Sequence, residues 1–133
     1  MTIDLKLLVA SAVLSWAMLI FASLSRSRGW TPGGMKVAFG NRDDVPEAAP
    51  WVARADRAAR NMQENLPLFA ALLLAAHVGG VAADRLVLPA WLFFGARVAY
   101  FPVYVLGIPV VRTLVWSVGV VGLGLIAAAC LGG

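Results

Sequence analysis

Four polar side chains share one face of a predicted helix, directly before a long apolar run. Arg54, Arg57, Asn61 and Glu64 follow a spacing of i, i+3, i+7 and i+10, which places them on the same helical face. Residues 66–74 are then almost purely apolar. Charges at membrane depth are costly, and they persist where they line a cavity, pair with each other or hold a ligand. The spacing therefore predicts a polar site at the mouth of a membrane helix.

Two later segments carry residues that suit the same site. Arg97, Tyr100 and Tyr104 repeat the helical spacing, and the first turns of the next helix hold Arg112, Thr113 and Trp116. In an antiparallel bundle, we expect all of them at the depth of the first cluster, around one buried carboxylate, Glu64. Arginines bind carboxylates and Glu64 would bind an ammonium, so the cluster predicts a small polyanionic ligand that also carries a cation.

Each of these residues also has a purely structural interpretation. Arg54 and Arg57 could extend to lipid headgroups as anchors, and Glu64 could simply pair with Arg60 or Arg97. The tyrosines and Trp116 could form an interfacial aromatic belt. His77, near the other end of the second helix, is expected to serve interfacial packing, and Cys130 to act as a small apolar residue.

Composition indicates a membrane protein of one domain. The 133 residues are 61% hydrophobic and only 14% charged, with a mean hydropathy of +0.82. The single cysteine excludes an internal disulfide and a multi-cysteine metal site, and we expect no metal. The net charge of +4 is explained by charge bias in the loops of a membrane protein, so we expect no nucleic-acid partner.

The elements that must position the site are four apolar segments in an all-α bundle. We predict transmembrane helices at about 5–24, 52–78, 86–106 and 110–131, with a polar loop at about 25–50. The short connections between the last three helices imply an antiparallel arrangement.

The basic residues predict the orientation of the chain. Only Lys6 and Arg85 fall on the side opposite the first loop; the first-loop side has Arg26, Arg28, Lys36, Arg42, Arg54, Arg57, Arg60, Arg97 and Arg112. The positive-inside rule then puts both termini outside and the 25–50 loop in the cytoplasm.

Two motifs resemble the MAPEG family, the membrane-associated proteins of eicosanoid and glutathione metabolism. The second-helix signature is matched by Arg54, Arg57, Ala58, Asn61, Glu64 and Asn65, and the third- and fourth-helix motif by Arg97, Tyr100, Tyr104, Arg112 and Thr113. The resemblance extends from about Gly40 onward. The run Gly40-Asn41-Arg42-Asp43-Asp44 also resembles the small bacterial branch, and this resemblance implies a bacterial inner membrane as the location.

The resemblance implies a homotrimer that binds glutathione, a cosubstrate, between neighbouring subunits in contact with membrane lipids. One subunit would contribute Arg60, Asn61 and Glu64, and its neighbour Arg97, Tyr104, Arg112 and Thr113. The full expected binding set is Arg54, Arg57, Arg60, Asn61, Glu64, Arg97, Tyr100, Tyr104 and Trp116. Arg112 and Thr113 match the positions closest to the thiol, and we expect them to be catalytic by stabilising the thiolate. The thiolate would attack a lipophilic electrophile or reduce a lipid hydroperoxide.

Two departures from the family pattern leave other functions open. Ala59 stands where several family enzymes have histidine, and Trp116 stands where they have tyrosine. Trp116 offers an indole N–H in place of a hydroxyl. Because the family also includes a non-catalytic lipid-presenting scaffold, the alternative function is a lipid-binding scaffold. A small efflux transporter is a third interpretation, although such proteins usually carry their acidic residue in mid-span.

Overall fold

Five α-helices account for most of the chain in a computed structural model, which describes residues 1–43, 45 and 47–132. Within these residues there is no β-strand. The helices are α1 (Ile3–Ser27), α2 (Pro32–Phe39), α3 (Pro50–Val78), α4 (Asp84–Val105) and α5 (Pro109–Leu131). The all-α class predicted from the sequence is therefore confirmed.

Three of these helices are long and apolar enough to cross a membrane, namely α1, α4 and α5. The fourth long helix, α3, has 29 residues, but its first half carries the arginine cluster and lowers its hydropathy. The second predicted span thus coincides with a helix whose composition alone does not mark it as transmembrane.

The long helices pack around a central pair formed by α3 and α4. Both of these contact α1 on one side and α5 on the other, whereas α1 and α5 make no contact with each other in the described chain. The phenyl ring of Phe21, near the end of α1, lies 6.3 Å from the ring of Trp51 and 5.5 Å from that of Phe101. Since Trp51 begins α3 and Phe101 lies near the end of α4, α3 runs antiparallel to α1 and α4.

Small and aromatic residues allow the central helices to approach closely. The buried face of α3 includes Ala55, Ala59 and Met62, at the helical spacing of three to four residues. Deeper in the bundle, Phe69 of α3 stacks on Phe93 of α4 with ring centroids 4.1 Å apart. The α3–α4 pair is therefore a closely packed wall from which polar side chains can project.

A short helix, α2, lies inside the segment that was predicted to be a loop. The Thr31 hydroxyl caps it by accepting a hydrogen bond from the Gly34 N–H at 3.0 Å, and Pro32 occupies its first turn. This is a favourable start for a helix, which the neighbouring glycines obscured in the sequence. Asp44, the last residue of the run that resembles the bacterial branch, lies outside the described residues.

Candidate functional site

A polar cleft opens where α3, α4 and α5 meet, at the end of the bundle that carries the arginine cluster. Its volume is about 250 Å³, and its lining comprises Asn61, Tyr100, Tyr104, Arg112, Thr113 and Trp116. All six were predicted as site residues, and they come from three different helices. The antiparallel packing thus brings the two sequence motifs to one depth.

Tyr104 links an arginine of α3 to an arginine of α5. Its hydroxyl accepts a hydrogen bond from Arg57 Nε at 3.1 Å, and the guanidinium carbon of Arg112 lies 4.7 Å from its ring centroid. Tyr100 packs edge-on against the same ring, with centroids 5.4 Å apart. A cation over an aromatic face is attracted by the ring quadrupole, so Tyr104 holds Arg112 at the edge of the cleft.

Thr113 and Trp116 complete the α5 side of the cleft. The Thr113 hydroxyl donates to the Pro109 carbonyl at 3.2 Å, and it is exposed. This is a weak bond within the first turn, which a ligand can replace after rotation about χ1. Trp116 is 38% exposed and can offer its indole N–H. The α5 side of the cleft therefore offers one cation, Arg112, and two neutral hydrogen-bond donors, Thr113 and Trp116.

Arg97 lies behind the cleft. It is 1% exposed and is absent from the cleft lining. Its Nη1 donates to Asn61 Oδ1 at 2.6 Å. The sequence predicted Arg97 as a direct ligand contact, whereas its contact in the structure is with a residue that lines the cleft.

Three predicted site residues stand apart from the cleft. Arg54 Nε donates to the Val105 carbonyl at 2.9 Å, at the turn between α4 and α5. Arg60 pairs with Asp56 at 3.0 Å on the surface. Glu64 was expected to be buried, but it is exposed and forms no ion pair within the described chain. It lies on the side of α3 that faces away from the buried residue Met62.

Residues that were expected from two different subunits lie together within one protomer, while the division of the site between subunits stays a prediction. Asn61 was assigned to one subunit, with Tyr104 and Arg112 from its neighbour. In the structure Asn61 shares one cleft with both residues and accepts the hydrogen bond of Arg97 within the same chain. One protomer therefore brings Asn61, Tyr104 and Arg112 to the same cleft.

A separate apolar groove adjoins the polar cleft along α5. Its volume is about 350 Å³, and its lining comprises Pro109, Val110, Arg112, Thr113 and Leu114. Arg112 and Thr113 line both spaces. A polar and an apolar ligand bound in the two spaces would therefore meet at these residues.

A buried acid–base contact at the other end of the bundle was not foreseen. The Asp4 carboxylate contacts His77 Nε2, and Asp4 is fully buried at the start of α1. The available signal was an acidic residue at the edge of an apolar segment, at the end where His77 was expected. The described residues contain no group of three or more His, Cys, Asp or Glu that could hold a metal ion.

These features define a class: an all-helical integral membrane protein with a polar cleft, lined by one arginine, at one end of its bundle. A model of the MAPEG family matches residues 5–132, so the chain belongs to the MAPEG family, as the motifs predicted. Comparisons with curated proteins and with solved structures gave no match.

Proposed function

We propose that the protein binds glutathione in the polar cleft and uses its thiolate against lipophilic electrophiles or lipid hydroperoxides. The observation that carries this proposal is the position of Arg112, which lines both the polar cleft and the apolar groove. Membership of a family of glutathione and eicosanoid metabolism supports glutathione as the polar ligand. The groove has the apolar character expected for the second substrate.

The chemistry requires that the thiol lose its proton near neutral pH. A free thiol has a pKa of about 8.5, and lowering it by about two units requires roughly 2.7 kcal/mol of selective stabilisation of the anion. A guanidinium in a partly dry site is an adequate source. Arg112 would stabilise the negative sulfur, and the Thr113 hydroxyl would donate a hydrogen bond to it. The thiolate then either forms a carbon–sulfur bond as a leaving group departs from the electrophile, or attacks the hydroperoxide and breaks its O–O bond, giving an alcohol and a glutathione sulfenic acid. A second glutathione thiol reduces that sulfenic acid, giving glutathione disulfide and water.

We propose a homotrimer in which a neighbouring subunit covers the open side of the cleft. Arg60 and Glu64 are both exposed, so they remain available to the carboxylate and ammonium ends of a ligand held between subunits. Chemical cross-linking of the detergent-purified protein tests this assembly, with a trimer band expected and a monomer alone opposing it.

We further propose four spans in a bacterial inner membrane, with both termini outside and the 25–50 loop in the cytoplasm. At about 1.5 Å per residue, the 29 residues of α3 form a rod long enough to cross a bilayer of about 30 Å. Labelling of cysteines introduced at either terminus by an impermeant reagent in intact cells tests the orientation. Protection of both termini would contradict it.

Titration calorimetry with glutathione tests the proposed function, together with conjugation of a chromogenic electrophile. The unaltered protein is expected to bind glutathione and to form the conjugate. Arg112→Gln should lose at least about tenfold in conjugation rate, the equivalent of roughly 1.4 kcal/mol. Arg85→Gln is the matched control, because Arg85 is exposed at the opposite end of α4. Absence of glutathione binding to the unaltered protein would refute the proposal.

A non-catalytic lipid-binding scaffold is the second candidate, and the apolar groove beside α5 favours it. This function predicts lipid that co-purifies with the protein and no conjugation activity. Mass spectrometry of organic extracts, together with the rate assay above, separates the two candidates. Conjugation that depends on Arg112 would exclude the scaffold.

A further inference from the structure

Arg97 is a buried cation with unused hydrogen-bonding capacity. Its Nε and Nη2 atoms are buried without a hydrogen-bond partner among the described residues, and no carboxylate there forms an ion pair with it. Its guanidinium carbon lies 5.3 Å from the Phe93 ring centroid and 5.4 Å from that of Tyr100. A buried charge held in this way is costly, so a purely structural role accounts poorly for it.

The bond from Arg97 determines which way the Asn61 amide faces. A guanidinium can only donate, so the group 2.6 Å from Arg97 Nη1 must be the oxygen of the Asn61 amide. The Asn65 amide nitrogen lies 3.4 Å from the same oxygen. The Asn61 amide oxygen therefore faces Arg97 and Asn65. The Asn61 NH₂ group has no hydrogen-bond acceptor within the described residues. Asn61 lines the cleft, so this NH₂ is the donor that a ligand meets.

We propose that Arg97 is a positioning residue that acts through Asn61, fixing the amide so that its NH₂ donates to a carboxylate of the bound peptide. This inference rests on the proposed function, because the ligand is taken to be glutathione. It assigns Arg97 a different role from a direct ligand contact. Without Arg97 the amide can turn by half a rotation and present its oxygen, which repels a carboxylate.

Asn61→Asp separates this role from a structural one. The substitution keeps the shape of the side chain and gives Arg97 a carboxylate partner, so the thermal stability should be equal or higher. It also removes the NH₂ donor and presents a negative oxygen to the ligand. Glutathione affinity measured by calorimetry should therefore fall by at least about tenfold, the loss expected for a hydrogen bond to a charged group. If the contact between Arg97 and Asn61 were only structural, a variant of equal or higher stability should keep its affinity for glutathione.

Removal of Arg97 provides the second measurement. Arg97→Gln should weaken glutathione binding by about tenfold, and Arg97→Lys, which keeps a donor and the charge, should recover part of that loss. In Asn61→Ala, which has no amide to orient, Arg97→Gln should cost little further affinity, because the two residues act as one unit. Arg85→Gln is the matched control for loss of one arginine, with unchanged affinity expected.

The affinity and stability measurements either support the inference or overturn it. Lower affinity in Asn61→Asp at retained stability, with non-additive losses for Arg97→Gln and Asn61→Ala, supports the inference. Fully additive losses, or an Arg97→Gln variant that is folded and binds normally, overturn it while glutathione binding itself stands. If the unaltered protein does not bind glutathione, the proposed function fails and this inference fails with it.

Discussion

Gly122 of α5 lies against the backbone of α4, and its replacement by alanine should force the two helices apart. A Cβ at this position would lie 2.8 Å from the Pro89 carbonyl oxygen and 3.0 Å from the Phe93 nitrogen. Non-bonded contacts of carbon are most favourable at about 3.5–4.0 Å, so the helices must separate by roughly 0.5 Å. Because both contacts are with backbone atoms, no side-chain rotation can relieve them.

The effect of Gly122→Ala on stability can be compared with that of the same substitution at another glycine of α5, Gly124. Overpacking of this kind typically costs about 1–3 kcal/mol, whereas alanine in place of glycine inside a helix otherwise gains roughly 0.5–1 kcal/mol. Gly124 has no atom within 4 Å of its would-be Cβ, so Gly124→Ala should show only the gain. Because that gain is common to both variants, we expect their free energies of unfolding to differ by the overpacking cost alone, about 1–3 kcal/mol.

Thermal unfolding in one detergent, followed by tryptophan fluorescence, measures this difference. Gly122→Ala should unfold several degrees below Gly124→Ala. Because α4 carries Tyr104 and α5 carries Arg112, glutathione binding should weaken in the same variant. Equal midpoints for the two variants would refute the close α4–α5 packing from which the cleft is derived.

Three further predictions concern side chains at both ends of the bundle. Asp4→Ala and His77→Ala should each destabilise the protein by about 2 kcal/mol. Because both substitutions remove the same contact, thermal unfolding of the double variant should show less than the sum of the two losses. Additive losses would contradict that contact. Arg54→Gln should lower the melting temperature and leave glutathione affinity unchanged in calorimetry, because its contact is with the α4–α5 turn; weakened binding in a stable variant would oppose this. Tyr104→Leu should weaken glutathione binding by about tenfold, and Tyr104→Phe by about threefold or less. The difference arises because only leucine removes the aromatic ring beneath Arg112. Equal losses in the two variants would contradict the role of the ring.

The sequence predicted the four long helices and the six residues that line the cleft, because both depend on local periodicity. Tyr100 and Tyr104 follow helical spacing, and the short α4–α5 connection brings Arg112 to their depth. The family prediction is also confirmed. The placement of Tyr100, Tyr104 and Arg112 at one depth requires only the geometry of an antiparallel bundle.

Which way a charged side chain points depends on details that periodicity does not contain. At about 100° per residue, Glu64 lies roughly 80° around α3 from Arg54, so Arg54 is half-buried whereas Glu64 is exposed. Arg97 has the spacing of a ligand contact, but its partner is decided by the packing of α4 against Asn61. The short helix α2 was missed because Gly33 and Gly34 hid the capping signal of Thr31.

The most direct test of the account is the ultraviolet absorbance of the glutathione thiolate on the purified protein at neutral pH. We expect the unaltered protein to produce a thiolate signal that saturates with glutathione. Arg112→Gln should show little of it, whereas Arg85→Gln should retain it in full. A thiolate signal of equal size in Arg112→Gln, or none in the unaltered protein at saturating glutathione, would contradict the claim that Arg112 activates the thiol in this cleft.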